Sequence, residues 1–72
     1  MKEIYADFND LDADGILPLT CSGSVESIGA VQEPLVDGET VWFSDGELRV
    51  KGRVCRRPDG SWEGRSDWKF VR

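Results

Sequence analysis

Asp10, Asp12 and Asp14 stand at alternate positions ahead of Gly15, the opening pattern of a calcium loop. Carboxylates at that spacing, followed by a glycine for the sharp turn, can wrap oxygen ligands around a hard cation. Ile16 fits the position that donates a backbone carbonyl. The pattern then breaks: Cys21 occupies the place of the closing bidentate Glu, and Pro18 stands three residues before it. Such a loop binds a cation weakly at best. The plainer reading is a polar turn between two strands, and no metal or other cofactor is expected.

A second group is cationic. Arg49, Lys51 and Arg53 alternate along one stretch, with Arg56, Arg57 and Arg65 close behind. A basic stripe with neighbouring aromatics suits a nucleic-acid surface, and Trp62, Trp68 and Phe70 follow it. Against this reading, the chain carries a net charge of −5, which repels phosphate at range. A third group is aromatic. If Val41 and Phe43 point inward, alternation leaves Trp42 facing out, and Trp68 near the end raises the same question. An exposed Trp among charged residues suits a groove that docks an extended peptide; the alternative is that both indoles close the ends of a small core.

Catalysis has little to work with. The chain contains no histidine, the commonest general base and the usual activator of Ser or Cys nucleophiles. Cys21 and Cys55 have no His to lower a thiol pKa, and neither a P-loop nor a dinucleotide fingerprint is present. The chain opens without a charged region leading into an apolar one, and it contains no apolar run of about 18 residues. These features predict a cytoplasmic protein with reduced thiols and no membrane segment. Two Cys fix no disulfide framework by themselves.

The charge is divided very unevenly. Residues 1–48 hold eleven acids and one base, whereas residues 49–72 hold eight bases and three acids. Self-complementation is the expected use, with strands of opposite charge lying side by side. A bipolar surface whose cationic face awaits an anionic partner is the sharper alternative.

The elements that must position these groups are set out by turn signals. Asp14-Gly15, Asp37-Gly38, Asp45-Gly46 and Asp59-Gly60 punctuate the chain, and Asp-Gly between β-prone runs marks tight turns. Strands are expected over Ile4 to Phe8, Ile16 to Cys21, Thr40 to Phe43, Glu47 to Arg56 and Ser61 to Ser66. In the fourth, Leu48, Val50 and Val54 share one face, with Arg49, Lys51, Arg53 and Cys55 on the other, as one wet side requires. Gly52 falls mid-strand on the apolar side, where a bend or a close backbone approach is expected. Pro18 restricts its strand to an edge or a bulge. Ser22 to Ala30 is ambiguous: Ser24 could cap one or two helical turns carrying Val25 and Ile28 and ending at Gly29, or the stretch is a loop. Asp67 to Val71 is expected as a short strand or a single helical turn.

Tyr5-Ala6-Asp7-Phe8-Asn9 leading into Asp14-Gly15, together with Asp67-Trp68, resembles a group of short bacterial proteins of uncharacterised activity. The resemblance implies a free-standing small protein and carries no activity or site residues with it. A chain of 72 residues is one domain. Five short strands, one bent at a Gly, predict a mostly β, five-stranded SH3-like barrel with at most one short helical turn. The expected function is a non-catalytic module that binds a protein or peptide through Trp42, Trp68, Arg49, Lys51 and Arg53. Nucleic-acid binding on the basic strand from Arg49 to Arg57 is the alternative. Exposed strand edges leave monomer and homodimer both open.

Overall fold

A computed structural model describes Met1 to Lys69. The described residues are mostly β, with one five-stranded mixed sheet and one α-helix. The strands are β1 (Glu3–Tyr5), β2 (Ile16–Pro18), β3 (Thr40–Ser44), β4 (Arg49–Arg56) and β5 (Trp62–Arg65). A 3-10 turn (Phe8–Asp10) follows β1, and helix α1 (Ser22–Ala30) lies between β2 and β3. The order across the sheet is β1-β3-β4-β5-β2. β1 runs parallel to β3, and the remaining pairs are antiparallel. A parallel pair needs a long crossover, and the segment holding β2 and α1 supplies it. β1 and β2 are the two edges and do not pair, so the hydrogen-bonded sheet is open rather than the closed barrel expected.

The Asp-Gly signals translate directly into turns. Gly15, Gly38, Gly46 and Gly60 all have φ between +79° and +100°, which glycine adopts at no steric cost. In the β3–β4 connection the Asp45 carboxylate accepts from the N–H groups of Glu47 and Leu48 at 2.9 and 2.8 Å. The Asp59 carboxylate does the same for Ser61 at 2.9 Å in the β4–β5 turn.

The core lies on one side of the sheet: Ile4, Ala6, Leu17, Leu19, Val41, Phe43, Val50 and Val54 are buried. Phe43 is central. Its ring lies over Gly64 and beside Gly52, where an added Cβ would come within 2.8 and 2.9 Å of it respectively. At Gly52 the added atom would also sit 2.4 Å from the carbonyl oxygen of Arg65 on the neighbouring strand. The close backbone approach expected of Gly52 is therefore present.

Several boundaries differ from expectation. β1 stops at Tyr5 because Asp7 caps the 3-10 turn, its carboxylate accepting the Asn9 N–H at 3.0 Å. β2 stops at Pro18, although Leu19 N–H still donates to the Trp62 carbonyl at 3.0 Å. The larger correction is α1, which spans nine residues rather than at most one short turn. Ser24 does not cap it: Cys21 is the N-cap, and the helix continues past Gly29 to Ala30. Its Ser- and Gly-rich sequence has poor intrinsic propensity, and tertiary contact holds it instead. Ser24 Oγ donates to the Tyr5 carbonyl at 2.6 Å, and Ser27 Oγ accepts the Tyr5 N–H at 2.9 Å. Gly23 sits against the Tyr5 ring, where an added Cβ would come within 2.6 Å. Ile28 and Val31 continue the same helix face onto the core, whereas Val25 is exposed. Asp67 to Lys69 is neither strand nor helix. The expectations for Phe70 and Val71 lie outside the described residues.

Candidate functional site

The alternation expected for the basic strand holds in β4. Val50 and Val54 are buried, and Arg49, Lys51 and Arg53 are exposed on the opposite face. Pairing brings other residues of that outer face into rows. Glu3, Trp42 and Lys51 align across β1, β3 and β4. Thr40, Arg53, Arg65 and Ile16 align across β3, β4, β5 and β2. Trp42 is half-buried, with the Arg49 guanidinium carbon 4.2 Å from its ring centroid, a cation–π contact.

The electrostatics of this face are one-sided. Arg49, Lys51, Arg53, Arg57 and Arg65 share it with Glu3 and Glu63. Arg49 lies 4.0 Å from Glu3. Arg65 lies 2.7 Å and Arg57 3.9 Å from the single carboxylate of Glu63, whose hydrogen bond and charge raise the Arg65 pKa. Among the described residues, Lys51 and Arg53 form no ion pair. Arg53 and Arg65 are direct cross-strand partners, and like charges so placed destabilise a sheet.

Self-complementation between the two halves of the chain is thus limited. Arg49–Glu3 is the one ion pair among the described residues that joins them; Lys2–Glu39, at 2.9 Å, lies within the acidic half. The acids instead accept backbone N–H groups. Asp12 accepts from Asp14 and Ile16, Asp37 from Arg56, and Glu39 from Val36 in addition to Lys2. Hydrogen bonds from Lys2 and then Val36 hold the Glu39 carboxyl below the usual range, while Leu48 and Glu47 do so for Asp45. Ser61, through its hydroxyl and then its N–H, lowers Asp59.

Trp68 sits apart from the cationic face. Its ring packs against Phe43 (centroids 6.0 Å apart) and Phe8 (6.5 Å), and its Nε1–H donates to the Gly15 carbonyl at 2.8 Å. The residue has φ 57°, a left-handed conformation uncommon outside glycine, secured by its N–H donating to Ser66 Oγ at 3.2 Å. Trp68 closes the core over the Asp14-Gly15 turn. Trp62 is also half-buried against the core, with Arg56 above it at 5.7 Å.

The Asp10–Asp14 stretch organises backbone. One Asp12 oxygen accepts both the Asp14 and Ile16 N–H groups, and Asp12 N–H donates to the Ile16 carbonyl at 3.0 Å. Among the described residues, no three His, Cys, Asp or Glu side chains converge in a metal-binding arrangement. Cys21 and Cys55 are free thiols. Cys21 Sγ lies 3.2 Å from Ser24 Oγ, and Cys55 is half-buried on β4 beyond Arg53.

Pro18 was expected at an edge or a bulge, and β2 is an edge; what sequence reasoning missed is how the other outward groups of the edges are satisfied. At β1, both outward backbone groups of Tyr5 are taken by Ser24 and Ser27. At β2, both backbone groups of Ile16 are taken by Asp12, and Pro18 has no N–H to offer. These devices blunt the templates that edge strands present to other chains. The Ser-x-x-Ser spacing was the available signal, but serine pairs of that kind are common in loops. Among the described residues, no helix is long and apolar enough to cross a membrane. Comparison with protein-family models, curated proteins and solved structures finds no match.

Proposed function

We propose that the protein is a non-catalytic binding module that takes a protein or peptide partner on the outer face of its sheet. The observation that carries this reading is the row around Trp42. Trp42 stands beside Lys51 with the Arg49 guanidinium over its ring, and Lys51 and Arg53 have no ion-pair partner among the described residues. Sheet faces that serve only as solvated surface commonly intersperse opposite charges; this one is cationic in a chain whose net charge is −5.

One observation supports a protein partner over nucleic acid: Arg49 covers the Trp42 ring at 4.2 Å, hindering the base stacking that single-strand binders use. We read the domain as an incomplete small barrel of the SH3-like kind, a reading supported by its five short strands and near-equal extents of 26 × 24 × 21 Å. The non-catalytic part of the proposal rests on the absence of His from the sequence. The free thiols favour a reducing, cytoplasmic compartment, and the blunted edges favour a monomer.

The test is a photo-crosslink from Thr40→p-benzoylphenylalanine, which stands beside Arg53 on this face. In native cells it should yield an adduct destroyed by protease, resistant to nuclease, and lost when Lys51→Glu and Arg53→Glu are added. A nuclease-sensitive adduct, or none, would overturn the proposal.

A further inference from the structure

We infer that the partner is an extended acidic segment lying along β4, with carboxylates at every second residue opposite Arg49, Lys51 and Arg53. This deepens the proposed function and rests on its assignment of the outer sheet face.

The argument begins with strand geometry. Each residue of a strand advances about 3.3 Å, so alternate side chains on one face recur about every 6.6 Å. β4 presents Arg49, Lys51 and Arg53 at that period, all exposed. A second extended chain laid alongside shows its own alternate side chains with the same repeat. Three carboxylates at positions i, i+2 and i+4 therefore meet three cations without either backbone bending. Three consecutive carboxylates cannot do so, because neighbours along a strand point to opposite sides.

The charges beside the stripe confine the segment to that line. Glu3 stands across Trp42 from Lys51, and Glu63 is the cross-strand partner of Cys55. Each repels a carboxylate that strays sideways. The Arg53–Arg65 pair fixes one end. These cations are direct partners across β4 and β5, and the Glu63 carboxylate that engages Arg65 at 2.7 Å is also 3.9 Å from Arg57. A carboxylate seated beside Arg53 relieves a repulsion that the free protein retains. At the other end, Arg49 is held against Trp42 and 4.0 Å from Glu3, so it is the least available of the three.

The experiment is an amide chemical-shift titration of the full chain at low salt with two peptides of the same composition. One alternates glutamate and threonine (Glu-Thr-Glu-Thr-Glu) and the other blocks them (Glu-Glu-Glu-Thr-Thr). An oligodeoxythymidylate forms the third arm. The alternating peptide should shift the amides of residues 49–53 and bind up to about fivefold more tightly than the blocked one, as the one additional exposed ion pair allows. Arg53→Thr should abolish that preference while raising the melting temperature, because it removes the like-charge pair; a purely structural arginine would not give this combination. Equal binding of both peptides, lost on Lys51→Glu, overturns the alternating register and leaves the face assignment standing. Shifts with the oligonucleotide and neither peptide overturn both. No shift with any of the three overturns the inference.

Discussion

Ser24→Ala should destabilise the protein even though it replaces a poor helix former with the best one. Ser24 is fully buried inside α1, and its hydroxyl donates to the outward carbonyl of Tyr5 at 2.6 Å. Removing the hydroxyl leaves that carbonyl without its partner in a site where the helix limits access of water, a cost of about 1–3 kcal/mol. Alanine returns about 0.5 kcal/mol through helix propensity. The net loss of about 0.5–2.5 kcal/mol corresponds to a fall of roughly 2–20 °C in melting temperature for a domain of this size. Ser27→Ala is the matched control: its hydroxyl accepts the Tyr5 N–H at 2.9 Å in an exposed bond, so water can replace it and the gain in propensity nearly offsets the loss. Thermal and urea unfolding of the two variants, followed by circular dichroism, give the comparison. A Ser24→Ala protein that melts at or above the parent temperature, or a Ser27→Ala protein that loses as much as Ser24→Ala, would refute the claim that serine contacts at the β1 edge hold the helix.

For Gly64→Ala the three atoms nearest the added Cβ all belong to the Phe43 ring, at 2.8–3.2 Å, so the change should cost about 1–3 kcal/mol and be partly rescued by Phe43→Leu. Gly52→Ala meets the Arg65 carbonyl at 2.4 Å, and the same second substitution should not rescue it; urea midpoints of the double variants separate the two cases. Acid should weaken the fold in a defined window. Because the folded pKa values of Glu39, Asp45 and Asp59 are lowered, their contribution is complete above the unfolded values near 4 and is lost as pH falls through the folded ones. Urea midpoints should accordingly stay level from about pH 6 to 5 and drop below about pH 4, with a smaller drop in Asp45→Asn; a midpoint indifferent to pH down to 2 would contradict this. Asp12→Ala frees the outward N–H of Ile16, whose carbonyl still accepts from the backbone of residue 12, and should produce concentration-dependent self-association in sedimentation velocity, where a variant that remains monomeric throughout would argue against edge blocking by the Asp12 carboxylate.

Local rules made much of the sheet legible. The four Asp-Gly turns follow from glycine's tolerance of positive φ, and the face assignment of β4 follows from the two-residue period of a strand. Gly52 was legible as a close approach because no side chain fits there. The exposure of Trp42 was half-legible: alternation placed it outward between Val41 and Phe43, while its cover by Arg49 depends on how β3 and β4 come into register. The charge imbalance was visible along the chain, but its destination was not. A sequence shows that eleven acids precede the basic strand; it does not show that many of them bind backbone N–H groups instead of arginines.

The sequence by itself determined the strand-forming segments, the turns between them and the division of β4 into apolar and cationic faces, because each depends on contacts between residues near in the chain. Only the tertiary structure decided that Ser22 to Ala30 is a helix, that β1 pairs in parallel with β3, that Trp68 closes the core and that Arg53 stands opposite Arg65. Each of those depends on partners distant in sequence. In α1 the contact is made by serine hydroxyls on a strand's backbone, where no hydrophobic periodicity announces it.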